Sequence, residues 1–207
     1  MRQQSVAAVY ESDLNSESHI ERNLALAAPR DTARGMFFNG VLEVVRKLAG
    51  EGVAQRCRAA TGESQHIDFF SYPVSTFLQL CLTAVREVGP LFGGCEVTLH
   101  RIGEQSAKDF LSSTAGKTLL LLAGNDVKRI LKQVPSGYGA AVSYGERTMT
   151  CPHYEKSGYF VIKHDFMPYA YHEGILRGVL LTAGARAPRV RGYSTGPLDS
   201  AYEFSWE

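Results

Sequence analysis

No run of apolar residues approaches the ~18–20 that a membrane-spanning helix requires. The N-terminal stretch MRQQSVAAVYESDLNSESHI has no apolar segment of the kind that builds a secretory signal. Neither a membrane span nor secretion is expected, and the chain reads as cytoplasmic. Only four cysteines occur, Cys57, Cys81, Cys95 and Cys151, and no two form a CxxC pair. They read as small core hydrophobes in a reducing compartment, not as a disulfide framework. Neither sign of charge is in excess, the formal net charge being +1. A dedicated nucleic-acid binder would carry a strong basic surplus, so Lys128/Arg129/Lys132 and Arg186/Arg189/Arg191 read as solvated surface. Internal repeats and low-complexity segments are absent.

Recognisable reaction chemistry is equally scarce. The six histidines, His19, His66, His100, His153, His164 and His172, show no HExxH or comparable ligand spacing. Cys151-Pro152-His153 is the densest group of potential ligands, but two ligand types fall short of a tetrahedral metal set, and the string reads as a strand end broken by Pro152. His172 lies on an apolar helix face beside Glu173 and reads as a satisfied core histidine; His100 has the same standing. No serine has a histidine in a sequence context that marks a nucleophile. Glu104, Asp109, Asp165 and Glu173 form no recognisable carboxylate pair. Gly116-Lys117-Thr118 is the tail of a phosphate-binding loop, whose first glycine would fall at Leu111. It lies inside a helical pattern, where backbone N–H groups are already bonded. No catalytic residue, cofactor or metal site is predicted, and the chain is not expected to be an enzyme.

What is present is a well-marked core. Of the 207 residues 44% are hydrophobic and 21% charged, enough for a single domain with a real interior. The expected layout is one domain over 24–207 with an N-terminal extension over 1–23. The stretch Ala107–Val134 is its organising centre: two helices broken at Gly124-Asn125. The apolar run Leu119–Leu122 makes the first of them buried all round. Before it, Ser5–Tyr10 reads as a short strand and Glu11–Glu21 as a loop. Asp31 caps a helix over Thr32–Leu48, with Phe37, Val41, Val44, Val45 and Leu48 as its stripe and Glu43–Lys47 as an ion pair. A short helix covers Glu51–Ala60. Pro73 opens a third, striped by Val74, Phe77, Leu78, Cys81, Leu82 and Val85, and Cys95–Gly103 is a fourth. After Pro135 the period shortens. Ala141–Thr150 and Gly158–His164 read as a β-hairpin, Tyr169–Ala183 as a helix with Gly174 and Gly178 as a bare strip, and Ala187–Tyr193 as a strand. Tyr202, Phe204 and Trp206 alternate with polar residues in a last half-buried strand. Helices first and strands after predict an α+β fold with an antiparallel sheet covered on one side.

The segments RGMFFNGVLEVVRKLAG (34–50), DFFSYP (68–73), GKTLLLLAG (116–124), AAVSYGER (140–147), YHEGILRGVLLTAGA (171–185) and LDSAYEFSWE (198–207) together resemble an uncharacterised paralogous family expanded in myxobacteria. The layout is more remotely similar to the haem–nitric oxide/oxygen binding (H-NOX) domain, whose fold group takes in Golgi-transport TRAPP subunits and 4-vinyl reductase domains. That likeness implies a helical half, a hairpin, a helix and a closing strand pair. It also implies a haem-ligating histidine on the helix after the core helix and a Tyr-x-Ser-x-Arg clamp for the haem propionates. The matching helix, 125–134, has Lys128 and Arg129 and no histidine; Tyr144-Gly145-Glu146-Arg147 lacks the clamp's spacing. Haem held the H-NOX way is not expected. Two roles remain open: a non-catalytic regulatory or protein-interaction module with a protein partner, or a sensor or carrier of a small apolar ligand held between helices and sheet. The walls of such a pocket would include Phe37, Phe77, Phe110 and His172.

Overall fold

A computed structural model describes residues 16–63, 65–124 and 126–207. Helix α1 (Glu17–Leu26) opens the described chain, where a loop was expected through Glu21. Ser16 accepts the His19 N–H to cap it. Ile20 and Asn23 are buried, the Asn23 amide donating to the Phe166 carbonyl at 2.8 Å. The strand expected at Ser5–Tyr10 and the first fifteen residues of the expected extension lie outside the described residues.

Asp31 does not cap a helix. Its carboxylate accepts the Ala28 N–H and its carbonyl the Val74 N–H, so it closes a turn. The next residues form strand β1 (Thr32–Arg34), paired antiparallel with β2 (Ser71–Pro73). Helix α2 then runs Gly35–Ala49. A Cβ on Gly35 would lie 2.2 Å from the Ile67 carbonyl oxygen, which is why a glycine stands where the chain swings from strand to helix. Gly50, with a left-handed φ of 84°, ends α2 as expected, and Glu43 pairs with Lys47 at 3.3 Å. Helices α3 (Glu51–Ala59) and α4 (Val74–Val88) follow.

Helix α5 is continuous from Gly94 to Ser112, not two segments meeting at Gly103. That glycine causes no break because it lies against helix α8 (Tyr169–Thr182). A Cβ at Gly103 would fall 1.9 Å from the Tyr171 carbonyl oxygen, and one at Gly174 would fall 2.1 Å from that of His100. The bare strip read from Gly174 and Gly178 is therefore a backbone-to-backbone crossing, and α8 begins after Pro168 as predicted.

Beyond α5 the chain departs most from its sequence pattern. A second break falls at Ser113, whose extended backbone starts α6 (Thr114–Ala123) and whose hydroxyl accepts the Gly116 N–H at 3.1 Å. Gly116-Lys117-Thr118 is thus the first turn of α6, not mid-helix; its N–H groups are still taken, that of Lys117 by the Ser113 carbonyl. The run Leu119–Leu122 is not buried all round: Leu121 is 83% and Leu122 73% exposed. The helix is short and lies at the edge, covered on one side only. Helix α7 (Val127–Ala141) passes straight through Pro135, where a change to strand was expected. Proline tolerates a helix interior at the cost of one backbone hydrogen bond and a bend.

The second half is close to expectation. Strands β3 (Glu146–Thr150), β4 (Ser157–Lys163), β5 (Arg189–Ser194) and β6 (Ser200–Ser205) form an antiparallel sheet in the order β3-β4-β6-β5. Phe160, Ile162, Tyr202 and Phe204 project into the core from it, and Trp206 packs partly buried at its end. Among the described residues no helix is long and apolar enough to cross a membrane.

Candidate ligand cavity

An apolar cavity of about 70 Å³ lies where α5, α6, α7 and α8 converge over α2 and α4. Phe37 of α2, Phe77 of α4, Phe110 of α5 and His172 of α8 all line it. Leu119 and Leu120 supply the α6 side, and Ile130, Val134, Gly137 and Tyr138 the α7 side. The two faces of α6 therefore differ: one closes the cavity and the other presents Leu121 and Leu122 outward.

One pole of the cavity is polar. The Tyr138 hydroxyl meets His172 Nδ1 at 2.8 Å, and His172 Nε2 meets Asp165 Oδ1 at 3.0 Å. Asp165 also accepts the Met167 N–H at 3.0 Å, and its other oxygen pairs with Arg147. The Arg147 guanidinium stacks over the rings of Tyr138 and Tyr144, at 4.8 and 5.4 Å. These groups are deep, His172 being 1% exposed. Burial alone would push the Asp165 carboxyl up; His172, Arg147 and the Met167 N–H together hold it well below the usual carboxylate range. Burial pushes the Tyr138 and Tyr171 hydroxyls well above the usual phenol range. Beside them Tyr171 donates to Ser106 at 3.1 Å, and Ser106 donates to the Ile102 carbonyl at 2.9 Å.

His172 is thus a core histidine with two partners, as its apolar face suggested. Its partner is Asp165, however, and not the adjacent Glu173, which reaches away to accept the Gly192 N–H at 2.5 Å. His100 is not a core residue; it is half-buried beside Glu104, with Nδ1 at 3.7 Å, and burial lowers its pKa. Around Cys151-Pro152-His153, Lys128 donates to the carbonyls of Pro152 and His153 at 2.6 and 2.5 Å. Lys128 is consequently a loop tie and not solvated surface. Among the described residues no group of three His, Cys, Asp or Glu side chains is placed to hold a metal.

Sequence reasoning missed Tyr138, named Asp165 only among carboxylates that form no recognisable pair, and named Arg147 only in a string without the clamp's spacing; it joined none of them to His172. It also passed over a G-x-S-x-G string, Gly192-Tyr193-Ser194-Thr195-Gly196. A nucleophile elbow of that pattern needs a strand followed by a helix. Here β5 leads through a turn into β6, and the Ser194 hydroxyl donates to the Gly196 carbonyl at 2.9 Å.

An open polar groove of about 1010 Å³ adjoins the cavity, between α2, residues 65–69 and the α5–α6 joint. Phe110 lines both. His66 in its wall is stacked on Phe38 at 4.4 Å, and neither of its buried ring nitrogens has a partner.

This arrangement of helices over a four-stranded sheet is the H-NOX-like α+β fold. An H-NOX protein from S. oneidensis in the Fe(II) state, a triple mutant, superposes with a TM-score of 0.69 at 12% identity, covering 84% of this chain and 96% of that one. The Fe(II) unliganded A-to-G mutant of the K. algicida H-NOX protein gives 0.64 at 13% identity, with coverage of 84% and 96%. The S. oneidensis protein in its Fe(II)NO state gives 0.65 at 11%, with 84% and 99%. Identities this low establish the fold alone. Residues 26–207 match the family model described as protein of unknown function (DUF2378), and the chain belongs to that family. No curated protein matches the sequence.

The residues here do not fit a haem. Helix α7 faces the cavity with Ile130, Gln133, Val134, Gly137, Tyr138 and Ala141 and offers no histidine. The arginine nearest to a propionate clamp, Arg147, is committed to Asp165. The space, about 70 Å³, is far below the ~300–1,000 Å³ of pockets for drug-sized ligands.

Proposed function

We propose that the protein is a non-catalytic regulatory module of the cytoplasm, responding to a small apolar ligand enclosed between its helices and sheet. The observation that carries this reading is the apolar cavity with a single polar pole, the usual composition of a ligand site. The absence of catalysis is supported by the chain Tyr138–His172–Asp165–Arg147, in which each member is engaged by the next, Arg147 Nε alone of its buried polar atoms lacking a hydrogen-bond partner. The four free cysteines, two of them buried, suit a reducing compartment. The test is native mass spectrometry of freshly purified protein, with an absorption spectrum of the same sample. A mass excess lost on denaturation, in a colourless sample, is the expected result. A bare polypeptide that no small apolar molecule stabilises against heat would sink the ligand reading. Turnover of a substrate, abolished by a point substitution, would sink the non-catalytic one.

A second reading, a module whose primary business is a protein partner, is favoured by Leu121 and Leu122. They stand exposed on α6, and exposed apolar clusters mark interaction sites. Partner capture that persists unchanged when the cavity is filled by a larger side chain, such as Val179→Phe, would favour it.

A further inference from the structure

The polar pole of the cavity has a defined sense of hydrogen bonding, and this deepens the ligand reading proposed above, on which it rests. The ionised Asp165 carboxylate faces His172 Nε2 at 3.0 Å. A lone pair there would oppose the carboxylate, so Nε2 carries the proton. Arg147 already balances the charge of Asp165. A second proton on His172 would leave the buried group with an uncompensated positive charge, which is costly. Nδ1 is therefore an acceptor, and the Tyr138 hydroxyl, 2.8 Å away, spends its only proton on it. Tyr171 likewise gives its proton to Ser106, and Ser106 gives its own to Ile102. What these hydroxyls keep for the cavity is lone pairs. Gln133 and Tyr144 also line it and can act in both senses, so they carry no bias.

We infer that the cavity selects small neutral molecules with an apolar body and one O–H or N–H donor, which donate to Tyr138, over isosteres that can only accept. Size narrows the class further. An apolar cavity of about 150 Å³ takes up benzene. About 70 Å³ corresponds to a ligand of roughly three to five non-hydrogen atoms, the range of short branched alcohols. A site built to accept a proton from its ligand discriminates strongly against an analogue lacking that proton, because the acceptor is left buried and unpaired.

The experiment is a titration of the full chain with 2-butanol and with butanone, isosteres that differ in the donor. It is followed by NMR on the methyl groups of Ile130, Ile175 and Val179, all cavity residues, with xenon as a featureless control. The expected result is at least tenfold tighter binding of the alcohol, with the ratio falling to near one in Tyr138→Phe. Should that variant not fold, the ¹⁵N shifts of the His172 ring in the wild type decide: Nδ1 must remain unprotonated with the alcohol bound. Equal binding of alcohol and ketone, or tighter binding of the ketone, would overturn the inference while leaving the ligand cavity standing. Xenon binding without either organic ligand would do the same. If none of the three shifts the cavity methyls, both the inference and the ligand reading fall.

Discussion

The two sides of the cavity are built on different principles. On one side α5 and α8 cross with Gly103 and Gly174 each set against a carbonyl of the other helix, so neither can approach or roll without a backbone clash. On the other side α7 rests on side-chain tips: Gly137 meets the Phe110 ring, and Tyr138 reaches α8 through one hydrogen bond; the first turn of α6 is seated on backbone, a Cβ at Gly116 falling 2.1 Å from the Phe110 carbonyl oxygen. Protein interiors are close-packed where backbone meets backbone and yield where a flexible side chain is the neighbour. The α5–α8 crossing is thus a fixed wall, and α7 with the outer part of α6 a more deformable one.

The largest expected effect falls on the residue that ties the two sides together. Asp165→Ala leaves Arg147 buried without its partner, and urea denaturation should show a loss of about 3–5 kcal/mol. Loss below 1 kcal/mol would mean that the network is dispensable to both walls. The next effect separates them. Gly174→Ala drives a methyl into the His100 carbonyl and should cost about 2–3 kcal/mol, or some 4–12 °C in Tm. Gly137→Ala meets only the edge of the Phe110 ring, at 3.0 Å, and gains about 1 kcal/mol of helix propensity; its net change should stay within about 1 kcal/mol. Equal losses in the two variants would erase the distinction between the walls.

The pH profile sharpens the same contrast. The Asp165 carboxyl is held below its usual range in the folded state, so its stabilisation is complete above the unfolded value, about 3.9. It is lost as pH falls below that toward the folded value. Thermal melts from pH 6 downward should steepen below pH ~4, and Asp165→Asn should flatten that part of the curve. The smallest effect belongs to the outer face of α6. Leu121→Ser with Leu122→Ser should leave stability within about 0.5 kcal/mol per site, since both side chains already stand in water. A loss of several kcal/mol would show that α6 is part of the fixed wall.

The fixed wall was the more legible in the sequence. In α8 the apolar positions recur at helical spacing and the Gly174/Gly178 strip announces close approach, whereas α5 was read as two segments because Gly103 looked like an end. In the deformable wall the expected break at Gly124-Asn125 falls where α6 ends at Ala123 and α7 starts at Val127, but the break at Ser113 and the run of helix through Pro135 were misread. Four consecutive leucines cannot say which of them face inward when the helix is ten residues long. Pro135 looked like a terminus because proline usually is one. Phe37, Phe77, Phe110 and His172 could be named as wall candidates because each sits on an apolar stripe. The polar network could not be read, because Tyr138, Arg147, Asp165 and His172 belong to separate elements and only the fold joins them. Asp165 and His172, seven positions apart, span a loop and a helix start, and no periodicity links them.

Pro135 has a consequence beyond the hydrogen bond it removes. Lacking an N–H, it leaves the Leu131 carbonyl without its usual intrahelical donor and so divides the hydrogen-bond ladder of α7 into two halves. The first carries Ile130, Gln133 and Val134 along the cavity, and the second carries Tyr138 to its polar pole. The weakest rung of the ladder therefore lies between the part of α7 along the chamber's apolar wall and the part that holds its polar pole, so a helix strained by a molecule in the chamber would yield there first.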